Sequence, residues 1–214
     1  MTIVAEDNKV RIEKLDPGGV MWANPYLVTC KQTGESVLVD TPGNPDVMLT
    51  QVIDKHVKYI LMTHNHGDHI SALAALKAAL KVPVAGHELD AHKYPVPLDI
   101  KLEDSAVVTF GRLEMKVYHT PGHTKGSLCF LVGTYLLAGD TLFPHGPGHT
   151  VSPANFHQIV QSLTEKIFVL PDETLVFSGH GDGTVLWKEK DEFRQFSAKP
   201  HRPDLFGDVL WLES

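Results

Sequence analysis

The chain has 214 residues, enough for one large domain and awkward for two, so residues 1–214 are expected to form one unit. Hydrophobic residues make up 43% and charged residues 21%, the balance of an ordinary globular protein. A formal net charge of −7 argues against nucleic-acid binding, which wants a basic face, and no apolar run approaches the roughly 18 residues of a membrane span.

The N-terminal run Met1-Thr2-Ile3-Val4-Ala5-Glu6-Asp7 has neither a basic stretch nor an apolar core, so no secretory signal is expected and cytoplasmic residence is the default. Apolar, β-rich runs bounded by Gly, Pro or Asp predict strands at Val10–Leu15, Tyr26–Cys30, Ser36–Asp40, Lys58–Met62 and Val82–Ala85. Between them, Asn44-Pro45 opens a helix to about His56, with Pro45 suited to the first turn. A second helix is expected from His69 or Ile70 to about Leu80. Further strands are predicted at Ala106–Phe110, Glu114–His119, Ser127–Val132, Tyr135–Ala138 and Thr174–Ser178. A third helix near Ala154–Phe168 sets Phe156, Ile159, Val160, Leu163 and Ile167 on one face, ready to pack on a sheet. Residues Val185–Ser214 mix charges with Trp187, Phe193, Phe196, Phe206 and Trp211, and read as a short helix and a tail packed on the body. Strands broken by helices predict sheets covered by helices, with room for mixed pairing.

The two cysteines, Cys30 and Cys129, lie inside strand-like runs and are expected to be buried, reduced thiols. A metal site here must therefore be built from nitrogen and oxygen, which suits a catalytic ion better than a closed structural one. Five of the thirteen histidines fall into such a pattern. Thr63-His64-Asn65-His66-Gly67-Asp68-His69 carries four candidate ligands in six residues. In extended chain residues i and i+2 point to one side, so His64 and His66 can reach one ion. Asp68 and His69 follow Gly67 into a helix and can aim at a second point close by. Asp68 has a plainer alternative as a helix N-cap. Three more candidates each follow an apolar run: His123 in Thr120-Pro121-Gly122-His123, Asp140 in Gly139-Asp140-Thr141, and His180 between Gly179 and Gly181. An unpaired carboxylate after Leu136-Leu137-Ala138-Gly139 would be costly to bury, and a metal partner removes that cost.

Other motifs carry less. His87-Glu88-Leu89-Asp90-Ala91-His92 resembles a zinc-protease helix, but a spacing of five turns the second histidine about 140° away. Gly179-His180-Gly181-Asp182-Gly183 lacks the dinucleotide-binding pattern. His145 and His149 lie just beyond Asp140 and are expected at a pocket rim, where one would touch substrate. His56, His119, His157 and His201 read as ordinary polar residues.

The series His-x-His-x-Asp-His, Thr-Pro-Gly-His, Gly-Asp-Thr-Leu-Phe and Gly-His-Gly strongly resembles the metallo-β-lactamase superfamily, and within it the glyoxalase II-like hydrolases, over roughly Tyr26 to Gly183. The resemblance implies an α+β fold, an αβ/βα four-layer sandwich with the site at one edge of two facing sheets. It implies two divalent metal ions, zinc first and iron or manganese as alternatives. His64, His66 and His123 would bind one, and Asp68, His69 and His180 the other. Asp140 would bridge them, with a shared water or hydroxide between. Asp68 and Asp140 would be the catalytic carboxylates, Asp68 orienting the attacking water.

The expected activity is hydrolysis of a thioester or related ester of a small-molecule substrate. Glyoxalase II proper carries a helical C-terminal domain that grips glutathione, and only 34 residues follow His180 here. Its Gly-Cys-Gly-basic stretch is replaced by Gly146-Pro147-Gly148-His149, which removes a fixed cation for a carboxylate. The main alternative is a mononuclear iron persulfide dioxygenase using His64, His123 and Asp140 alone. Its usual Gly-Arg-Thr-Asp segment is not matched by Gly148-His149-Thr150-Val151. A lactonase fits the same bridging aspartate. A β-lactamase fits less well, since usual lactam-cleaving members hold cysteine or serine at the Asp140 position. A scaffold that binds metal without turnover is the non-enzyme alternative.

Overall fold

The computed structural model describes residues 1–19 and 23–214. Seven strands form one sheet in sequence order: β1 (Thr2–Glu6), β2 (Val10–Lys14), β3 (Tyr26–Cys30), β4 (Glu35–Val39), β5 (His56–Leu61), β6 (Val84–Gly86) and β7 (Ile100–Lys101). The first four pair antiparallel, and β4 to β7 pair parallel. Parallel neighbours need crossovers, and these carry helices. Helix α1 (Pro45–Val52) joins β4 to β5, while α2 (Gly67–Ile70) and α3 (Leu73–Leu80) lie between β5 and β6. β1 adds to the predicted strands. It is an exposed edge strand with no buried apolar face, so hydrophobic alternation does not announce it.

The second sheet contains β8 (Val107–Phe110), β9 (Leu113–His119), β10 (Leu128–Val132) and β11 (Tyr135–Gly139). After a short ribbon of β12 (Leu142–Phe143) and β13 (Gly146–Pro147), the chain returns through α4 (Pro153–Ser162) to β14 (Leu175–Ser178), β15 (Thr184–Val185) and α5 (Leu186–Ser197). The spatial order is β15-β14-β11-β10-β9-β8, with β11 and β14 parallel.

Alternation along the strands sorts side chains into three apolar clusters. Val28, Val37, Val39 and Leu61 of the first sheet meet Met115, Val117, Phe130 and Leu137 of the second. The opposite faces carry Leu27, Leu38 and Ile60 against Met48 of α1 and Leu73 and Leu76 of α3. Cys129, Leu136 and Val176 face Phe156 and Ile159 of α4 and Phe196 of α5. Three cores separate four layers, helix–sheet–sheet–helix, the predicted α+β sandwich.

The helices depart from the predicted bounds for local reasons. Asn44 caps α1 through Asp46 N, but the helix stops at Val52, because His56 already opens β5. The predicted helix from His69 to Leu80 is two helices. Thr41 of the loop after β4 enters the gap, its N–H on the His69 carbonyl (2.8 Å) and its carbonyl taking the Ala72 N–H (2.9 Å). The third helix loosens after Ser162 into a wider π turn, Leu163–Ile167, where Phe168 N bonds to Leu163 O.

Candidate metal centre

Strands β9, β11 and β14 end on one edge, and β4 and β5 end on the facing edge. The Asp40 loop leaves β4, the His64–His69 segment β5, His123 β9, Asp140 β11 and His180 β14. Gly139 pairs with Ser178, so Asp140 and His180 leave their strands side by side. Cross-links lock the two sheets there: Tyr26 donates its hydroxyl to the Ser178 carbonyl (2.9 Å), and Leu128 N–H reaches Thr63 O (2.8 Å).

All seven predicted ligand residues converge. Donor atoms of His64, His66 and His123 lie within 4.8 Å of one another, as do those of His64, His69 and Asp140, and of Asp68, His69 and His180. His66 Nδ1 stands 3.2 Å from His64 Nε2 and 2.9 Å from His123 Nε2. The three rings are mutually near perpendicular, at 83° to 86°. Nitrogens around a tetrahedral ion at zinc distance are about 3.4 Å apart, so the spacing is that of ligands around a common ion. On the other side His180 Nε2 lies 3.2 Å from His69 Nε2 and 3.2 Å from Asp68 Oδ2. Asp140 sits between the sets, Oδ1 3.3 Å from His69 Nε2 and Oδ2 3.5 Å from His123 Nε2 and 3.6 Å from His180 Nε2.

Protons decide which nitrogens face the site. Asp40, 2% exposed, accepts hydrogen bonds from Thr63 N–H (2.8 Å) and the Thr63 hydroxyl (2.7 Å). With its proton given to Asp40, the hydroxyl can only accept from His64 Nδ1–H, 3.0 Å away. That leaves a bare Nε2 on His64. His123 donates Nδ1–H to the His149 carbonyl (2.8 Å), and His69 Nδ1 lies 2.8 Å from Asp40 Oδ2. Each ring is held from behind, the arrangement that orients metal-ligating histidines. Burial pulls His64, His66 and His123 below the ordinary imidazole pKa, so they stay neutral. Burial opposes charge on His69 as well, but Asp40 and Asp140 outweigh it and push its pKa up to about 10. Burial raises Asp140, yet its contact with His69 and the surrounding imidazoles outweigh this and hold it below the usual carboxylate value.

The unprotonated nitrogens of His64, His66 and His123 point at one spot and repel, and Asp140 Oδ1 is buried without a well-aligned hydrogen bond among the described residues. A cation removes both costs. The donor set, five imidazoles and two carboxylates, fits zinc or iron.

The plainer role for Asp68 is not taken up, since it lies inside α2 and makes no capping bond. Asp40 and Thr63 are the residues that sequence reasoning missed. The only signal was an aspartate ending a strand. Of the two predicted rim histidines, His149 lines a cavity of about 280 Å³ beside Asp140 and His180, walled by Phe143, Pro144, Val209 and Leu210. His145 is not in that lining. Its ring turns away to Glu192 Oε1 (2.9 Å), which corrects its expected place. A second cleft of about 370 Å³ opens on the other side of His123 and includes His66, Lys93 and Lys125. The His87–His92 segment is a 3₁₀ turn in which His87 stacks on His119, away from the centre. No helix among the described residues is long and apolar enough to cross a membrane.

Comparisons with known proteins bear on the family and the fold. The family model of the metallo-beta-lactamase superfamily matches residues 19–180. A hydroxyacylglutathione hydrolase of Cereibacter sphaeroides is 37% identical over 158 residues, which cover 72% of this chain and 61% of that protein. The chain thus spans less than two thirds of that relative's length. The BLEG-1 B3 metallo-beta-lactamase superposes with a TM-score of 0.77 at 28% identity, over 84% of this chain and 96% of that one. A protein crystallised in a di-iron-bound form reaches 0.68 at 32% identity, over 83% and 96%. Matched along most of its length by that family model, and folded as its members are, this chain belongs to the metallo-beta-lactamase superfamily.

Proposed function

We propose that this chain is a binuclear metal-dependent hydrolase acting on a thioester or related ester of a small molecule. The observation that carries the reading is the pair of donor sets meeting at Asp140, whose Oδ1 has no other partner. His64, His66 and His123 would hold one ion and Asp68, His69 and His180 the other, and Asp140 between them would serve both. Divalent ions so held supply Lewis acidity and lower the pKa of water from about 15.7 toward roughly 7.

The chain's own residues do the rest. Asp68 has a half-exposed carboxylate and can accept a hydrogen bond from the attacking water, fixing its direction. Phe143, Pro144, Val209 and Leu210 shelter the apolar part of the substrate from solvent, and His149 stands at the rim. Water adds its oxygen to the acyl carbon and the thiol or alcohol leaves with a proton. The Cereibacter relative, a hydroxyacylglutathione hydrolase, favours the thioester class, and the di-iron-bound form of another relative favours two ions. The one-iron dioxygenase reading would leave His66, Asp68, His69 and His180 assembled without use.

Metal content per chain, measured on protein purified without added metal or chelator, tests this. Two ions per chain and turnover of thioesters are expected. Asp140→Asn should lower the count to one or none and cut hydrolysis by more than the roughly 100-fold that losing an outer partner costs. A single iron per chain with oxygen consumption on a persulfide would overturn the reading.

A further inference from the structure

The two clefts beside the candidate centre differ in character, and they meet at His123. One is walled by Phe143, Pro144, Val209 and Leu210. The other includes Lys93 and Lys125 in its lining. Neither lysine forms an ion pair with any described residue, although the chain has a net charge of −7. Their setting is built. Asp90, 1% exposed, accepts the Gly126 N–H on Oδ1 (3.0 Å) and the Thr124 hydroxyl on Oδ2 (2.7 Å). This clamps the Glu88–Lys93 turn to the loop that carries His123 and Lys125. The fit is close enough that a Cβ on Gly126 would stand 2.7 Å from Asp90 Cγ. Asn65 then donates Nδ2–H to the Asp90 carbonyl (3.3 Å), tying the turn to the His64–His66 segment. Both lysines therefore ride on the frame that positions His66 and His123. Asp90, the carboxylate of this cleft, has both oxygens committed.

We infer that the Lys93–Lys125 cleft holds an anionic group of the substrate, a carboxylate or a phosphate, while the apolar cavity across His123 takes the other end. The inference rests on the hydrolase reading for what lies between. Exposed lysine–anion pairs are worth up to about 1 kcal/mol each, or about fivefold, and weaken with salt.

The test uses metal-replete protein and thioesters that share one apolar acyl group. Their thiols are neutral, carboxylate-bearing or phosphate-bearing. Wild type should prefer an anionic thiol to the neutral one by kcat/KM, and whichever anion is preferred names the chemistry. Lys93→Ala with Lys125→Ala should lower that preference by up to about fivefold per lysine, and the double Arg variant should keep it. A wild type without preference, or a ratio unchanged in the double Ala variant, overturns the inference. Calorimetry with non-hydrolysable thioethers of the same thiols separates the two claims. Lysine-dependent binding without turnover of any thioester would strike the hydrolase reading and leave the cleft standing. Turnover with lysine-indifferent binding would strike the cleft alone.

Discussion

Asp40 does at the residue scale what no single ligand can do. Its carboxylate faces His69 Nδ1 and, through the Thr63 hydroxyl, sets the tautomer of His64, so one buried anion orients a ring in each donor set. Its backbone is left-handed, at φ 59°, a conformation that asparagine tolerates well. Asp40→Asn therefore removes the charge without straining the chain. We expect metal affinity to fall ~10–100-fold, with the fold intact by circular dichroism. Competition against a chromogenic chelator measures it, and unchanged affinity would show that Asp40 serves only the loop. Only its place at a strand end marks this residue in the sequence. Val37-Leu38-Val39-Asp40 reads as a strand with a polar end, and His69, its partner, is far along the chain. The ligands are different: four of them crowd into one short segment, where spacing alone is informative.

Elements meet at this site more tightly than their own propensities require. The Ala- and Leu-rich stretch after His69 would run as one helix, but Thr41 takes the His69 carbonyl and the Ala72 N–H. That contact breaks the helix and draws the neighbouring Asp40 against His69. Strand β14 approaches just as closely from the other sheet. A Cβ on Gly179 would stand 2.1 Å from Asp140 Oδ1 and 2.8 Å from His69 Cε1. Gly179→Ala must push the shared carboxylate aside. Elemental analysis should find its metal content reduced to one ion per chain or fewer, with secondary structure kept. Gly67→Ala is the control, because a Cβ there meets nothing within 4 Å. Equal metal loss in both would mean that any added methyl near the site disturbs it.

Across the whole molecule, the C-terminal tail joins the outer core to the site. Trp211 is fully buried against Phe193 and Phe196, each with ring centroids 5.1 Å away, and its backbone N–H bonds to the His145 carbonyl. Gly207 is tied to Thr150. Between these anchors Val209 and Leu210 form a wall of the apolar cavity. Trp211→Ala should cost ~3–5 kcal/mol in urea unfolding and raise KM for substrates with apolar groups. Trp211→Phe should cost much less, because the indole N–H has no partner among the described residues and its loss relieves an unpaired donor. Equal losses in the two variants would place the stability in that N–H.

Local chemistry was legible from sequence alone. Hydrophobic alternation marks the buried strands, Asn44-Pro45 marks a helix start, and ligand spacing marks the His64–His69 segment. These signals are short in range, and neighbouring residues carry them. Which strand ends share an edge, how Asp140 comes to lie between His69 and His123, and why the helix after His69 breaks were decided by tertiary contact. So was the difference between the two clefts. Lys93 and Lys125 lie far apart in sequence and come to line one cleft where Asp90 clamps their segments together. Charge and shape at such a site belong to the packing of distant segments, which no local pattern encodes.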